Sequence, residues 1–180
     1  MKSCGIVLSG GRGQRVGGAD KGRLPWESST RVESVIARLA PQVDSIIISA
    51  NRNLDWYQSL GHKVVSDKLP DFAGPLAGLS ACLPYCEADI CVTAPCDSPQ
   101  LPENLFSRMS AALEPGLDAC CAHDGERAQY LFLAVRPAVN ESLVDYLSTD
   151  GRSVKGWLKR IRVRNVDFSD QRDAFLNLNE

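Results

Sequence analysis

Cys4–Lys21 reads CGIVLSGGRGQRVGGADK, and the fold is decided on this stretch. An apolar run, Gly5 to Leu8, breaks into Ser9-Gly10-Gly11-Arg12-Gly13-Gln14-Arg15, followed by Gly17, Gly18, Asp20 and Lys21. A buried strand ending in a glycine-rich turn lets an α/β protein bring its backbone close to phosphates. Glycine has no Cβ to clash and tolerates positive φ, and successive free N–H groups form an anion nest. Arg12, Arg15 and Lys21 add cationic side chains that suit a polyphosphate.

The rest of the chain alternates in the same style. Val32, Val35, Ile36 and Leu39 recur at helical spacing after Thr30, a candidate cap, and Pro41 ends the run. Ser45–Ser49 is a β-branched strand leading to Ala50-Asn51-Arg52. A short helix is expected over Leu54–Leu60, and a strand over His62–Val65 delivers Ser66 and Asp67. Pro75 opens an apolar helix running to Leu83, since proline is accepted in a first turn. Asp89–Ala94 is the next strand and runs into Pro95-Cys96-Asp97-Ser98-Pro99, with a helix expected over Leu101–Leu113. Such repeated strand–helix alternation is the signature of a doubly wound, largely parallel sheet.

Beyond Pro115-Gly116 the pattern changes. Strands over Asp118–Ala122 and Tyr130–Val135 are separated by a short polar turn, which favours antiparallel pairing and therefore a mixed sheet. Helices are expected over Val139–Leu147 and Val154–Ile161, and Ile161–Val166 alternates like an edge strand. At 180 residues, a single domain over residues 1–180 is expected.

Charge and cysteine usage narrow the function classes. A formal net charge of -2 argues against non-specific binding to a nucleic acid backbone. The cations Lys155, Lys159, Arg160, Arg162 and Arg164 form a local patch, read either as a solvated face or as a site for a small anion. The 7 cysteines include no C-x-x-C pair and lie mostly in apolar segments, so buried free thiols in a reducing compartment, the cytoplasm, are expected rather than a zinc site. No transmembrane span is found.

In an open α/β sheet ligands collect at the carboxyl ends of the strands. The polar residues that should converge there are Gly10–Lys21, Ser49–Arg52, Ser66-Asp67 and Cys96-Asp97. A lone aspartate delivered by a buried strand, as Asp97 is, suits a magnesium ion bridging triphosphate oxygens; an Asx turn is the plainer reading. The glycine loop is neither a G-x-x-x-x-G-K-[ST] phosphate loop nor a G-x-G-x-x-G fingerprint. No acid is securely placed for a ribose, because Glu33 points away from the apolar stripe of its helix. Hydride transfer is therefore a poor reading.

The run Leu8-Ser9-Gly10-Gly11-x-Gly13-x-Arg15-x-Gly17-Gly18-x-Asp20-Lys21-Gly22 resembles the signature loop of nucleotidyltransferases that activate small phosphates. Its Gly-Gly-x-Asp-Lys-Gly form is most similar to the molybdenum cofactor guanylyltransferases. Further matches run along the chain: Asn51-Arg52, Asp67, Gly74–Gly78, Pro95–Pro99, His123–Gly125, Val166–Asp170, and Ala174-Phe175-x-Asn177-x-Asn179. The resemblance implies a three-layer α/β/α, Rossmann-like, mixed but mostly parallel sheet of the nucleotide-diphospho-sugar transferase type. It implies transfer of GMP from GTP to molybdopterin carrying molybdenum, with release of pyrophosphate and with Mg2+ as cofactor.

Carried over by residue, Leu8, Ser9 and Gly10 would hold the nucleotide through backbone groups, and Gly11, Gly13 and Arg15 would wrap the phosphates. Lys21 would neutralise the α and β phosphates, Asp67 would meet the guanosine, Ser49 and Asn51 would flank it, and Asp97 would bind the metal. Arg152, Asn177 and Asn179 would face the acceptor. The resemblance further implies transient contact with cofactor-inserting proteins or molybdoenzymes; a monomer is expected, though the residues themselves do not decide the oligomeric state. In-line phosphoryl transfer needs positioning and charge stabilisation, and an acceptor phosphate is a competent nucleophile without a base.

The chain departs from the family pattern at Ser28–Arg31, where a Gly-Lys-Pro-Leu step is usual, at Ser49, where asparagine occurs, and at Arg127–Tyr130. Rival readings are a CTP-using or sugar-phosphate nucleotidyltransferase, or a non-catalytic carrier of GTP and the molybdenum cofactor.

Overall fold

The computed structural model describes residues 1–9, 20–67 and 74–176. The apolar run near the amino terminus forms β1 (Ser3–Leu8), and its neighbours are built from the other short apolar runs: β4 (Ser45–Ser49), β5 (Lys63–Val65) and β6 (Ile90–Pro95). These strands pair in parallel, β1 with β4 and β6 on either side, and β4 with β5. Next come β8 (Ala128–Val135), β7 (Ala119–His123) and β9 (Val163–Asp167), completing a 7-stranded sheet in the order β5-β4-β1-β6-β8-β7-β9. Strand β8 is antiparallel to both neighbours and β9 is parallel to β7, so the sheet is mixed as expected, with β9 at its edge.

Successive side chains of a strand point to opposite faces, and here both faces are covered. Ile46 and Ile48 of β4 and Val92 and Ala94 of β6 pack with α1 (Arg31–Leu39), α2 (Leu54–Gln58) and α4 (Leu105–Ala112), through Val32, Val35, Leu39, Tyr57, Leu105 and Met109. Ile47 and Cys91 face the other way, onto α3 (Pro75–Cys82), α5 (Asn140–Ser148) and α6 (Val154–Leu158), through Leu76, Leu79, Leu143 and Trp157. The result is the three-layer α/β/α arrangement.

Local chemistry sets the helix ends. Thr30 caps α1 in a reciprocal capping box with Glu33, whose carboxylate accepts from the Thr30 N–H at 2.9 Å. Glu33 is thus a structural acid. Helix α4 starts later than the periodicity predicts, at Leu105, because Leu101 precedes Pro102 and proline disfavours helical backbone in the residue before it. Helix α6 ends at Leu158 rather than Ile161, closed by a turn in which the Arg160 N–H donates to the Trp157 carbonyl. The stretch after Pro25 holds a small hairpin that its polar composition does not announce: β2 (Pro25–Trp26) and β3 (Ser29–Thr30) pair across Glu27, which adopts φ 49°.

The chain leaves β1 toward β4 and β5 on one side, then returns to β6 on the other. This reversal opens a crevice above the carboxyl ends of β1, β4 and β6, where ligands of such sheets bind. Among the described residues no helix is long and apolar enough to cross a membrane.

Candidate active site

The crevice floor is stitched together by backbone groups. The Ser9 N–H donates to the Ser49 carbonyl at 2.8 Å, and the Cys96 N–H donates to the Leu8 carbonyl at 3.1 Å. Two groups expected to meet a nucleotide are therefore already used within the fold. The Ser9 hydroxyl, buried, has no hydrogen-bond partner among the described residues, and it remains the group Ser9 can offer a ligand.

Over this floor lies the pair that the strand ends predict. The Lys21 ammonium stands 3.1 Å from the Asp97 carboxylate, both side chains being largely enclosed. Asp97 is delivered by the turn after β6, and Lys21 starts a short 3₁₀ turn, Lys21–Arg23. The carboxylate so placed already holds a cation. It has the hard oxygen donors that a divalent ion bound to phosphates prefers. Among the described residues no group of three or more histidine, cysteine or acidic side chains is arranged as a ligand set.

Sequence reasoning passes over the residue that fixes Lys21. Asp20, only 9% exposed, caps the Lys21 turn by accepting from the Gly22 N–H at 3.3 Å. The same carboxylate accepts from the Tyr57 hydroxyl at 2.7 Å and from the Asn53 amide at 2.8 Å, with the Arg52 guanidinium 4.0 Å away. Burial, the neighbouring Cys96 and the hydrogen bond to Asp20 all push the Tyr57 hydroxyl upward, so it stays a protonated donor. The available signal was an acid immediately before a loop lysine. Gly22 is obligatory here, since a Cβ at that position would lie 2.5 Å from the Tyr57 oxygen.

On the β4–β5 side, Asn51 and Asp67 pair reciprocally. The Asn51 amide donates to the Asp67 carboxylate at 2.5 Å and the Asp67 N–H donates back to Asn51 Oδ1 at 3.1 Å. The second Asp67 carboxylate oxygen is buried and has no hydrogen-bond partner among the described residues. Asp67 lines a cavity of about 440 Å³ whose walls include Val65, Ala77, Tyr85 and Leu147. Ser49 ends β4. It is 1% exposed, and its hydroxyl is enclosed under α3, where a Cβ on Gly78 would come within 2.3 Å of it. Asn51 is the residue of that turn which faces Asp67.

The β8 side opens because two strands part. Pairing between β6 and β8 is confined to Cys91–Val92 against Ala134–Val135. Above it the Thr93 hydroxyl bridges the widening gap, accepting from the Leu133 N–H at 2.9 Å and donating to the Leu131 carbonyl at 2.7 Å. A cavity of about 350 Å³ follows, lined by Pro95 and residues 127–132. Its outer wall is organised by Asp124, which accepts from the Glu126 and Arg127 N–H groups at 2.8 Å each. Burial pushes the Asp124 carboxyl up, but those backbone bonds and the Gln129 amide outweigh it and hold it below the usual range.

Arg152 lies on the α5–α6 turn, whose backbone carbonyl approaches within 4.0 Å of the Cβ position at Gly74, the cap of α3. Its guanidinium is spent on that turn, donating to the carbonyls of Leu147 and Gly151 at 3.0 and 2.9 Å. Gly10, Gly11, Gly13, Arg15, Asn177 and Asn179 lie outside the described residues. The basic patch is a solvated face: Arg160, Arg162 and Arg164 pair with Asp145, Asp118 and Glu114.

The sequence profile of the MobA-like NTP transferase domain matches residues 5–165. The chain belongs to the MobA-like NTP transferase family. It is 44% identical over 181 residues to the molybdenum cofactor guanylyltransferase of Cupriavidus necator, and 39% over 175 residues to that of Shewanella putrefaciens. Each alignment covers 97% of this chain and 90% of the relative. Among solved structures, the fold is shared with the molybdopterin-guanine dinucleotide biosynthesis protein A of Archaeoglobus fulgidus, at a TM-score of 0.79 and 19% identity over 98% of this chain and 92% of that one. It is also shared with 4-diphosphocytidyl-2C-methyl-D-erythritol synthase of Anaerococcus prevotii, at a TM-score of 0.72 and 12% identity over 99% and 93% of the two chains. These likenesses bear out the nucleotide-diphospho-sugar transferase type of fold.

Proposed function

We propose that this chain is a molybdenum cofactor guanylyltransferase: it transfers GMP from GTP to the terminal phosphate of molybdenum-bearing molybdopterin and releases pyrophosphate. The observation that carries the reading is the Lys21–Asp97 pair over the ends of β1 and β6, in a chain about 40% identical along nearly its whole length to curated guanylyltransferases.

On this reading Lys21 would meet the α and β phosphates of GTP, and Asp97 would hold the divalent metal. A magnesium ion, when bound, supplies charge neutralisation across phosphate oxygens. Asn51 and Asp67 would sit under the nucleoside, where the Asp67 oxygen that has no partner among the described residues could accept from a base or ribose donor. The acceptor would enter from the β8 side, through the cavity beside Pro95; Arg152, Asn177 and Asn179 are the residues that the family resemblance assigns to it. A new bond forms between the acceptor phosphate oxygen and the α-phosphorus, the bond between the α-phosphorus and the bridging oxygen breaks, and pyrophosphate leaves with the electron pair. Little covalent chemistry falls to the protein; it positions the reactants and stabilises charge.

Pyrophosphate release in the presence of the pterin acceptor, compared across GTP, CTP, ATP and UTP, tests the reading. GTP should be strongly preferred. Preference for CTP points to the related nucleotidyltransferases, and binding of GTP without pyrophosphate release points to a carrier.

A further inference from the structure

Strand β8 is irregular where it borders the crevice. Cys121 of β7 pairs with Leu133, and the next residue, Ala122, pairs with Gln129, so the register skips Tyr130, Leu131 and Phe132, which bulge. Bulges bend a strand and re-aim its side chains, and they occur beside active sites. On the other side, β6 stops pairing with β8 after Val92, and the buried Thr93 hydroxyl takes over. It accepts from the Leu133 N–H at 2.9 Å and donates to the Leu131 carbonyl at 2.7 Å. The bulge is thereby pinned along the wall of the cavity of about 350 Å³ beside Pro95.

The chemistry that this cavity offers is narrow. The Gln129 amide is committed to the Asp124 carboxylate, and the buried Phe132 ring stands edge-on to Phe175, with centroids 4.9 Å apart. Two side chains remain to meet a ligand. Tyr130 is partly buried and packs against the core under α3 and α5. Arg127 is the cation of the wall; its side chain is 75% exposed and reaches the Asp124 carboxylate at 3.8 Å. An aromatic face beside a guanidinium suits a flat heterocycle with an anionic end. Position says which substrate brings one. The strand order β5-β4-β1-β6-β8 sets Asn51 and Asp67 on one side of the Lys21–Asp97 pair and this cavity on the other, with Pro95 of its wall two residues before Asp97.

We propose that the β8 bulge seats the pterin of the acceptor, an inference that rests on the guanylyl-transfer reading. Tyr130 meets the face of the bicyclic ring, Arg127 meets the anionic end that carries molybdenum, and Thr93 is a positioning residue that fixes the bulge. The acceptor phosphate then points past Pro95 toward Asp97, while the nucleoside lies on the far side of the reacting phosphates. Arg127–Tyr130 is a stretch in which this chain departs from the family pattern, so the contact belongs to this chain's own residues.

Two measurements on the full chain test this. Initial rates of pyrophosphate release, with GTP and molybdenum-bearing molybdopterin varied in turn, give a separate KM for each substrate. Ultrafiltration, with molybdenum measured in the filtrate, gives the acceptor Kd without nucleotide. Tyr130→Leu should raise the acceptor KM and Kd roughly tenfold, the effect of losing one aromatic stacking contact, and change the KM for GTP by less than about twofold. Tyr130→Phe keeps the ring and should recover most of the affinity. Arg127→Ala, a truncation at an exposed position that leaves the core intact, should weaken the acceptor by about fivefold, as for a partly exposed ion pair. Thr93→Val should raise the acceptor KM, and Thr93→Ser, which restores the hydroxyl, should lower it again. If the unaltered chain turns over both substrates but Tyr130→Leu and Arg127→Ala keep the acceptor KM and Kd within about twofold, the seat is overturned and guanylyl transfer stands. A rise confined to the KM for GTP, or a Tyr130→Phe protein as weak as Tyr130→Leu, overturns it equally. An unaltered chain that neither binds the acceptor nor releases pyrophosphate with it overturns the functional reading itself.

Discussion

Asp20→Ala is the perturbation on which the structure makes its sharpest demand. The carboxylate holds the Tyr57 hydroxyl, the Asn53 amide and the Gly22 N–H, and Tyr57 is completely buried. Truncation strands that hydroxyl, at a cost of about 1–3 kcal/mol. It also removes a helix-type cap from the Lys21 turn, worth about 1 kcal/mol. Loss of the Asn53 contact adds little, since Asn53 is exposed. Relief from a desolvated carboxylate offsets part of the sum, which leaves a net destabilisation of about 2 kcal/mol, read from urea unfolding followed by circular dichroism. Catalysis should suffer more than stability alone explains. The Lys21 turn loses its tether, and a displacement near 1 Å in a positioning group costs about 10²-fold in turnover. Asp20→Asn keeps an acceptor for Tyr57 and Gly22 but turns an amide toward that of Asn53, so it should recover most of the stability and part of the rate. An Asp20→Ala protein that is folded under assay conditions and turns over within twofold of the unaltered enzyme refutes the positioning role.

Lys21→Ala should lower turnover by roughly 10²-fold or more, by analogy with loss of one donor to developing charge, and steady-state pyrophosphate release measures it. Gly78→Ala drives a methyl group to 2.3 Å from the Ser49 hydroxyl and should destabilise by about 1–3 kcal/mol. Adding Ser49→Ala removes the closest atom and should restore part of that loss, a coupling that chemical denaturation of the four proteins of a double-mutant cycle measures. For Asp124 the native carboxyl lies below its ordinary value of 3.8, so its ionised form stabilises the fold fully above that pH and loses this contribution as pH falls through the lower native value. Asp124→Asn should therefore cost about 1–2 kcal/mol at neutral pH, and the gap to the unaltered protein in urea midpoints should close under strongly acid conditions.

The architecture is readable from short β-branched runs because a strand buried on both faces has no polar alternation to confuse it. Ile46-Ile47-Ile48 sends side chains into both cores, and its neighbours behave alike. The antiparallel turn of β8 follows from the shortness of residues 123–127. Elements that depend on tertiary contacts are harder to see. The β2–β3 hairpin has no apolar periodicity, and Leu101 is buried in a turn although its neighbours read as helix. At the site, Asp97 and Lys21 are legible because strand ends and loop lysines converge in such sheets, and the structure brings them together. The enclosure of Ser49 is not legible in this way, because it depends on Gly78, which lets α3 approach so closely that the hydroxyl is covered. Asp20 hides for a similar reason: its partners Asn53 and Tyr57 arrive from α2, more than thirty residues away.

The central claim is transfer of the nucleotidyl group, and the fate of the α-phosphorus tests it most directly. GTP labelled at the α-phosphate, incubated with the enzyme, Mg2+ and molybdenum-bearing molybdopterin, should place the label on the pterin product in one-to-one ratio with pyrophosphate released. GTP labelled at the γ-phosphate should place all of its label in pyrophosphate. Label from the γ-phosphate on the acceptor, or α-label that never leaves free guanine nucleotide, would contradict the account.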